Sequence, residues 1–287
     1  MKRILLVVHP TRPAAAKFGN VLAEKFLAKG FEVLANYPDL ISGSKAIDQV
    51  KNLDWAIVLG GDGTILRAAE IVRGFDVPIV GINLGNVGFL AEIAQPSADE
   101  IVSAVQNETI HREPRLVLKY EVLRDAKVIT SGWALNEVTV ERSAIAMLEL
   151  FVQIDGRPLS KWGCDGVICA TPTGSTAYAF SAGGPVVWPE VSALVLLPLA
   201  AHALFSRPMV VSPECEVVID VLSESAQISA DGLRHANLQA GDRIVLTKDA
   251  NKIQLAYINE GNFTDRLVAK FKLPIEGWRG ESSRLVT

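Results

Sequence analysis

The sequence has few cysteines, and this shortage excludes two kinds of stabilising chemistry. Its three cysteines, Cys164, Cys169 and Cys215, are too few and odd in number for a disulfide framework. The gap of four residues between Cys164 and Cys169 is not a zinc-ligand spacing. We therefore expect small buried thiols, typical of a protein in the reducing cytoplasm.

Long apolar runs and a surplus of basic residues are missing as well. The apolar stretches, such as residues 193–201, are interrupted by proline and fall well below the roughly 20 residues that cross a bilayer. The apolar run at residues 4–8 is too short for a signal peptide and predicts a buried strand. The formal net charge is −4 and no Lys/Arg cluster stands out. The sequence thus predicts neither a membrane span nor a nucleic-acid partner.

The first part of the chain alternates predicted strands and helices. With 287 residues, of which 49% are hydrophobic, the chain is long enough for about two domains with a sizeable core. Continuous apolar runs predict strands at residues 4–8, 31–34, 55–59 and 78–82. Spacings of three and four predict helices at residues 17–29, 64–72 and 97–105, the last with Ser97 as N-cap. This alternation predicts a doubly wound, Rossmann-like α/β domain over residues 1–114.

From about residue 115 the pattern changes to short strands separated by turns such as Asp155-Gly156 and Asp231-Gly232. It predicts an all-β domain over residues 115–261. The predicted strands are residues 117–123, 138–141, 148–154, 167–170, 210–211, 217–221, 226–230, 243–247 and 252–257. Helical spacing over residues 262–271 predicts a helix in the tail, residues 262–287. We also expect this tail to return to the first domain, although the spacing does not require it.

A glycine-rich loop, residues 60–64 (GGDGT), lies between a predicted strand and a predicted helix. At such a place glycines let backbone N–H groups approach an anion, and the helix N-terminus adds a favourable dipole. The alternative is a plain tight turn in which Asp62 or Thr64 caps the helix. The predicted phosphate-binding residues are Gly60, Gly61, Gly63, Thr64 and Arg67.

Two common phosphate motifs are absent, which makes Asp62 the unusual residue of this loop. No Gly-Lys-Ser/Thr exists, and Leu66 stands where a dinucleotide fingerprint needs its last glycine. Without a lysine, phosphate charge must be met by backbone dipoles, a divalent cation and Arg67. A carboxylate beside phosphates is repulsive unless it has a task. Asp62 is expected either to hold Mg²⁺ or to accept a proton from an attacking hydroxyl.

A second glycine cluster, residues 81–90, follows the next strand. Gly85, Asn86 and Gly88 are residue types that suit unusual backbone angles. Two such loops on neighbouring strand ends would form the floor of a site for a large anionic ligand. A plain turn is the alternative.

The predicted β domain contains a dense polar motif at residues 171–178 (TPTGSTAY), preceded by Asp165-Gly166. Its hydroxyl and free N–H groups could hydrogen-bond a nucleoside, and Tyr178 could stack on a base. A purely structural loop of this composition is the alternative. Asn136-Glu137 at the head of a strand offers an amide and a carboxylate suited to ribose hydroxyls and a base edge.

Taken together, these motifs resemble the NAD kinases in order and over nearly the whole chain. The matching elements are residues 60–64, the NLG-x₂-GFL run at 83–90, Asn136-Glu137 and the DG-x₄-TPTGSTAY run at 165–178. Residues 163–165 and 202–208 are most similar to actinobacterial members. The resemblance implies an NAD kinase/diacylglycerol kinase-like fold, with the site between an α/β and a β domain. It also implies transfer of a γ-phosphoryl group to the 2′-hydroxyl of the adenosine ribose of NAD.

The resemblance further implies roles for individual residues. Asp62 would accept the proton of the 2′-hydroxyl as the catalytic residue. The NAD-binding residues would be Asp62, Gly63, Asn136, Glu137, Asp165, Thr176, Ala177, Tyr178 and Ser181. The donor would be ATP or polyphosphate with a divalent cation, Mg²⁺ or Mn²⁺, whose ligands are unknown. A homodimer or homotetramer is expected.

At two positions the sequence departs from the family. Gly163 stands where some members carry a basic residue, which leads to the hypothesis that NADH is also accepted. Leu233 follows Asp231-Gly232 where many members have a polar residue. The ligand contact of that polar residue is therefore not assigned to Leu233.

Two alternatives stay open at this point. Lipid and sphingoid kinases share the GGDG element, although the TPTGSTAY loop and Asn136-Glu137 argue against them. A non-catalytic nucleotide sensor is the other, and it gives no reason for a carboxylate at Asp62.

Overall fold

The computed structural model describes residues 2–48, 50–85, 88–259 and 261–275. The chain forms two compact units. The first unit comprises Met1–Pro114 together with Gln254–Thr287, and the second comprises Arg115–Ile253.

Strands dominate the described residues. In chain order they are β1 (Arg3–Val8), β2 (Glu32–Ala35), β3 (Lys45–Ala46), β4 (Trp55–Leu59), β5 (Ile79–Ile82), β6 (His111–Arg115), β7 (Leu118–Arg124), β8 (Lys127–Ala134), β9 (Glu137–Arg142), β10 (Leu148–Ile154), β11 (Arg157–Cys164), β12 (Gly166–Ala170), β13 (Leu194–Leu199), β14 (Met209–Val211), β15 (Val217–Val221), β16 (Ala226–Ala230), β17 (Arg234–Leu238), β18 (Arg243–Lys248) and β19 (Ile253–Tyr257). The α-helices are α1 (Pro13–Ala28), α2 (Asp62–Val72), α3 (Ala98–Asn107), α4 (Tyr178–Ser181) and α5 (Phe263–Phe271).

The first unit is a doubly wound α/β sheet, as the sequence predicts. Its described strands lie in the order β3-β2-β1-β4-β5-β19-β6. Strands β2, β1, β4 and β5 pair in parallel. The strand order reverses between β1 and β4, so the crevice expected at such a switch point opens where β4 ends in residues 60–64.

Both faces of this sheet are covered. Ile4, Leu6 and Val8 point to one face and pack in a core with residues of α1 and α3. Leu5 and Val7 alternate with them and are also buried, because α2 covers the other face. The predicted cap of α3 is confirmed: Ser97 accepts a hydrogen bond from the Glu100 N–H, and the Glu100 carboxylate bonds back to the Ser97 N–H.

The second unit consists of two antiparallel sheets packed face to face. Their described strand orders are β11-β10-β15-β18-β7-β8 and β14-β13-β12-β9-β16-β17. One core contains side chains from both sheets, including Leu150 and Ile219 of one and Val140 and Val167 of the other. The all-β class predicted for this part of the chain is therefore confirmed.

Several strands of this unit were not predicted, and most of them are edges. Strands β8, β11 and β17 each border a sheet and have one solvent-exposed face, which weakens the apolar pattern. Strand β13 contains Pro198, which pairs with Val167 on β12, while β14 accompanies only the first half of β13. Pro198 thus lies in the half of β13 that pairs with one described strand only, where a missing N–H donor is tolerated.

The predicted end of the β domain at residue 261 is corrected by the structure. Strand β19 pairs in parallel with β5 of the first unit, with Leu255 opposite Ile79 and Ala256 opposite Val80. Four of its five residues are buried, as suits a strand covered on both faces. Only a short turn separates β19 from β18, and yet the two strands belong to different sheets.

Candidate functional site

The Asp62 loop, residues 60–64, follows β4 and starts α2. The helix begins at Asp62, two residues earlier than the sequence predicts, with Gly61 as N-cap. The half-buried Asp62 carboxylate accepts two backbone hydrogen bonds, one on each oxygen. The Phe89 N–H donates to Oδ2 at 3.0 Å and the Leu90 N–H donates to Oδ1 at 3.2 Å. The two glycine clusters therefore meet at this carboxylate.

Close approach, rather than unusual backbone angles, explains the glycine at position 88. Neither Gly85 nor Gly88 has a positive φ, and Asn86 lies outside the described residues. A Cβ on Gly88 would overlap the Asp62 carboxylate. At Gly61 and Gly63, by contrast, a Cβ would meet no atom within 4 Å, so these two backbone positions are open to a ligand.

Thr64 and Arg67, both predicted to bind phosphate, differ in position. Thr64 is buried, its hydroxyl lies against Gly60, and its N–H donates to the Gly61 carbonyl at 2.8 Å. Thr64 therefore supports the loop from beneath, and its contact with a phosphate stays a prediction. Arg67 is exposed on α2, one turn beyond the loop.

In the second unit, Asn136 and Glu137 are held by a residue that the sequence did not single out as functional. The buried carboxylate of Asp231 accepts hydrogen bonds from the N–H groups of Leu135 at 2.8 Å, Asn136 at 2.7 Å and Glu137 at 3.3 Å. Asp231 has a φ of 53°, in the left-handed region where aspartate is comparatively tolerated. The Asp231-Gly232 signal was visible in the sequence, but it indicated only a turn.

Residues 171–178 are tied to the same segment. The Thr171 N–H donates to the Asn136 carbonyl at 2.8 Å, and its hydroxyl donates to the Leu135 carbonyl at 2.5 Å. The Ser175 hydroxyl donates to the Pro172 carbonyl at 2.7 Å. These two fully buried hydroxyls build the loop, as in the structural alternative, and are not available to a nucleoside. A Cβ on Gly174 would overlap the Asn136 backbone, so glycine is required at this crossing.

The other predicted dinucleotide residues lie around this loop. The Thr176 hydroxyl donates to the Thr173 carbonyl at 3.2 Å, and Ala177 precedes the short helix α4. Tyr178 is 40% exposed, with its hydroxyl 3.5 Å from a Glu141 carboxylate oxygen. Ser181 is exposed at the end of α4. Asp165 forms an ion pair with Arg142 at 2.9 Å.

A pocket of about 290 Å³ opens beside this segment. The residues that line it are Glu137, Thr139, Glu141, Tyr178, Ser229, Asp231 and Gly232. Two of them, Glu137 and Tyr178, are residues that the sequence predicted, whereas Asn136, Asp165, Thr176, Ala177 and Ser181 are not part of its lining. Within the described residues, Glu137 Oε2 and Thr139 Oγ1 are buried without a hydrogen-bond partner. The pocket wall thus offers polar atoms that a ligand could satisfy.

The charge state of Glu137 is set by burial. Glu137 is 7% exposed, and burial raises its pKa to about 8, aided by the negative charges of Asp231 and Glu141 and opposed by the Tyr178 N–H. Burial also raises the pKa of Asp231, against the three backbone N–H groups and Arg234. At pH 7 the Glu137 carboxyl is therefore mostly protonated and can donate a hydrogen bond.

The Met147 side chain lies beside Gly163. A Cβ at this position would lie 2.8 Å from both Sδ and Cε of Met147. The Met147 thioether therefore occupies the place into which a side chain at position 163 would project.

Two further expectations concern metals and membranes. Among the described residues, no group of three or more His, Cys, Asp or Glu side chains is arranged to hold a metal ion. Within the same part of the chain, no helix combines the length and the apolar character that crossing a bilayer requires. Cys164, Cys169 and Cys215 are free thiols.

Comparisons with known proteins agree with this architecture. Residues 21–110 match the family model of the ATP-NAD kinase N-terminal domain, and residues 135–257 match that of the ATP-NAD kinase C-terminal domain. The NAD kinase of Thermobifida fusca is 42% identical over 98% of this chain and 93% of its own length. The NAD kinase of Mycobacterium tuberculosis is 47% identical over 78% of this chain and 74% of its own length.

Two solved structures are also similar. The crystal structure of yeast NADH kinase complexed with NADH superposes with a TM-score of 0.87 at 23% identity, covering 97% of this chain and 89% of that one, and shows the fold. An NAD kinase from Archaeoglobus fulgidus in complex with ATP gives a TM-score of 0.72 at 28% identity, covering 95% of this chain and 100% of the other. These matches define a phosphotransferase. This chain belongs to the NAD kinase family.

Proposed function

We propose that this protein transfers the γ-phosphoryl group of ATP to the 2′-hydroxyl of the adenosine ribose of NAD, giving NADP and ADP. The observation that carries this proposal is the family membership, with relatives named NAD kinase that are 42–47% identical over most of the chain. The ATP complex of the Archaeoglobus fulgidus relative supports ATP as the donor.

In the proposed step, Asp62 acts as the general base. The 2′-oxygen forms a bond to the γ-phosphorus, its proton passes to the Asp62 carboxylate, and the bond from the γ-phosphorus to the β,γ-bridging oxygen breaks. ADP leaves with that bonding pair. A ribose hydroxyl is a very weak acid, so the carboxylate helps mainly by taking the proton in the transition state, an effect typically of about 10²–10⁴-fold. The Phe89 and Leu90 N–H groups support this role because they orient both carboxylate oxygens.

NAD recognition is assigned to Gly63 beside Asp62 and to the second unit. There we assign it to Asn136, Glu137, Asp165, Thr176, Ala177, Tyr178 and Ser181. Neutral Glu137 would donate a hydrogen bond to an acceptor oxygen of the dinucleotide, and the half-exposed ring of Tyr178 would stack on a base. The pocket at Glu137 and the lack of a partner for its Oε2 support this assignment.

The donor phosphates are assigned to the backbone N–H groups of residues 61 and 63 and to the exposed guanidinium of Arg67. The predicted N–H of Gly60 is left out because it donates to the Ile82 carbonyl at 3.1 Å. The open space at Gly61 and Gly63 supports a close approach of phosphate to the backbone. We propose that a divalent cation, Mg²⁺ or Mn²⁺, arrives bound to the donor as part of the substrate. Inorganic polyphosphate, which carries the same phosphoanhydride chemistry, is proposed as a second donor.

NADH is proposed as a second acceptor, because Gly163 carries no charged side chain that could distinguish the oxidised from the reduced nicotinamide. The adjacent Met147 thioether is uncharged and supports the same idea. A homodimer or homotetramer in the cytoplasm is proposed as the working form. The nearly fully exposed apolar side chains of Ile145 and Leu204 support a contact with a second copy, and sedimentation would measure its size.

The test is direct formation of NADP. The protein is incubated with NAD, MgATP and buffer, and NADP is measured with an NADP-specific dehydrogenase. Parallel reactions replace ATP by polyphosphate, NAD by NADH, or Mg²⁺ by EDTA. NADP above the control without enzyme is the expected result. No NADP after long incubation with any donor would contradict the proposal. A much higher kcat/KM for NAD than for NADH would contradict only the proposal that NADH is a second acceptor.

A further inference from the structure

The C-terminal helix α5 packs against the segment that holds Asp62. The ring of Phe89, whose N–H donates to Asp62, lies between two rings of this helix. Its centroid is 6.0 Å from that of Phe263 and 5.7 Å from that of Phe271. One residue thus links α5 to the Asp62 carboxylate.

Arg266 of α5 reaches the same segment through a polar contact. Its side chain is 3% exposed, and its Nη1 donates a hydrogen bond to the carbonyl of Ala91. Its guanidinium carbon also lies 4.1 Å from the centroid of the Tyr257 ring on β19. A buried cation is thereby fixed between a backbone carbonyl and an aromatic face.

Glu92 secures the next residue of the segment. Its carboxylate is buried and accepts hydrogen bonds from the N–H groups of Ile258 at 2.5 Å and Asn259 at 3.4 Å. Its own N–H donates to the Gly81 carbonyl at 2.8 Å, at the end of β5. Residues 89–92 are therefore bonded to Asp62 on one side and, on the other, to β5, to the two residues that follow β19 and to α5.

The Ala91 carbonyl, which Arg266 anchors, lies two peptide units after the Leu90 N–H that donates to Asp62. The φ and ψ angles of Leu90 and Ala91 are the only soft rotations between this carbonyl and the Leu90 N–H, so anchoring the carbonyl limits how far residues 89 and 90 can turn away from Asp62. We propose that Arg266 is a positioning residue that sets the orientation of the Asp62 carboxylate through Ala91. The inference rests on the proposed role of Asp62 as the base, and it assigns α5 a part in turnover.

Arg266→Met tests this directly, because it keeps the length and apolar character of the side chain and removes the hydrogen bond to Ala91. We expect kcat for NADP formation to fall about tenfold or more, since small displacements of a catalytic group can cost as much as ~10²-fold. The KM values for NAD and ATP are expected to stay within about twofold. Arg266→Lys, which can still donate one hydrogen bond to Ala91, is expected to recover part of kcat.

Leu267→Ala is the matched control, since Leu267 is the neighbouring buried residue of α5. It is expected to lower Tm at least as much as Arg266→Met while leaving kcat within about twofold at a temperature where both variants are folded. An equal loss of kcat in both variants would overturn the inference and reduce the role of α5 to stability.

A double-mutant cycle with Asp62→Asn separates this inference from the proposed function. If Arg266 acts through Asp62, Arg266→Met lowers the residual kcat of Asp62→Asn by less than about twofold. The same fold loss in both backgrounds would overturn the inference even though the enzyme makes NADP. Absence of NADP in the wild-type protein would instead contradict the proposed function.

Discussion

Asp62 and Glu137, one in each unit, are held in opposite ways. Asp62 is half-buried, and each of its carboxylate oxygens accepts a backbone hydrogen bond. Glu137 is nearly fully buried, its Oε2 has no partner among the described residues, and the carboxylate of Asp231 lies nearby. The difference supports the two tasks proposed for them: an oriented carboxylate for accepting a proton, and a protonated carboxyl for donating a hydrogen bond to a ligand.

The largest expected effect comes from Asp62→Asn. The amide offers one acceptor oxygen to two N–H donors and cannot take up a proton, so kcat should fall by roughly 10²-fold or more. The Kd for NAD, measured by calorimetry, should change little. Asp76→Asn, an exposed carboxylate just beyond α2, is the control and should leave kcat within about twofold. A near-normal kcat for Asp62→Asn would refute its role as general base.

Two glycine substitutions, one beside Asp62 and one beside Asn136, should change different kinetic parameters. In Gly88→Ala the new methyl group would overlap the Asp62 carboxylate, so we expect kcat to drop about tenfold with little change in KM. In Gly174→Ala the methyl group would overlap the Asn136 backbone, so we expect a higher KM for NAD and a loss of about 1–3 kcal/mol in stability. Steady-state kinetics and thermal unfolding measure both. Equal effects on kcat would show that the two loops do not differ in task.

The pH dependence of Glu137 should give a smaller effect. Its pKa is about 8 in the folded protein against 4.5 for the free side chain. The folded protein therefore binds the extra proton between these values, and the stability that this group contributes is lost as pH rises from about 4.5 to 8. Glu137→Gln resembles the protonated form, so its Tm should exceed that of the wild type by a margin that grows from pH 5 to pH 8.

NAD binding provides the second measurement on the same variant. Wild-type affinity should weaken as pH rises through 8, whereas the affinity of Glu137→Gln should stay constant over that range, since its amide does not titrate. A constant Tm difference and parallel pH profiles would show that Glu137 is not protonated at neutral pH.

The smallest expected effect lies away from both carboxylates. Ser97→Ala removes the cap of α3, which should cost about 1 kcal/mol and lower Tm by about 2–4 °C without changing kcat or KM. Ser103→Ala, on an exposed position of the same helix, should leave Tm unchanged or slightly higher because alanine is the better helix former. A change in kcat for Ser97→Ala would show that α3 also affects catalysis, in addition to the surroundings of Asp62 and Glu137.

Local constraints explain which parts of the fold could be predicted. The doubly wound sheet, the cap at Ser97 and the loop at residues 60–64 depend on residues within a few positions of each other. Edge strands such as β8 and β17 were missed because solvent faces one side of them and little apolar pattern remains. The partner of β19 was missed because a strand's sequence does not specify which sheet it joins.

In the candidate site, too, the sequence indicated residues, whereas their contacts came only from the structure. The sequence indicated Asp62, Glu137 and Tyr178 as residues of chemical interest, but not how they are held. It suggested that hydroxyls of residues 171–178 bind a nucleoside, with a structural loop as the alternative, and the structure bonds those of Thr171 and Ser175 to carbonyls of the same unit. The supporting residue Asp231 lies 95 positions from the Asn136 N–H to which it bonds.

The sequence by itself therefore determined the family, the two classes of domain and the residue types of the site, because periodicity, turn residues and motif spacing are properties of neighbouring positions. Only the tertiary structure decided that Phe89 and Leu90 orient Asp62, that Asp231 carries the backbone at Asn136 and Glu137, and that Arg266 reaches Ala91. The physical reason is that buried polar groups must find partners wherever the folded chain brings them, and those partners are distant in sequence.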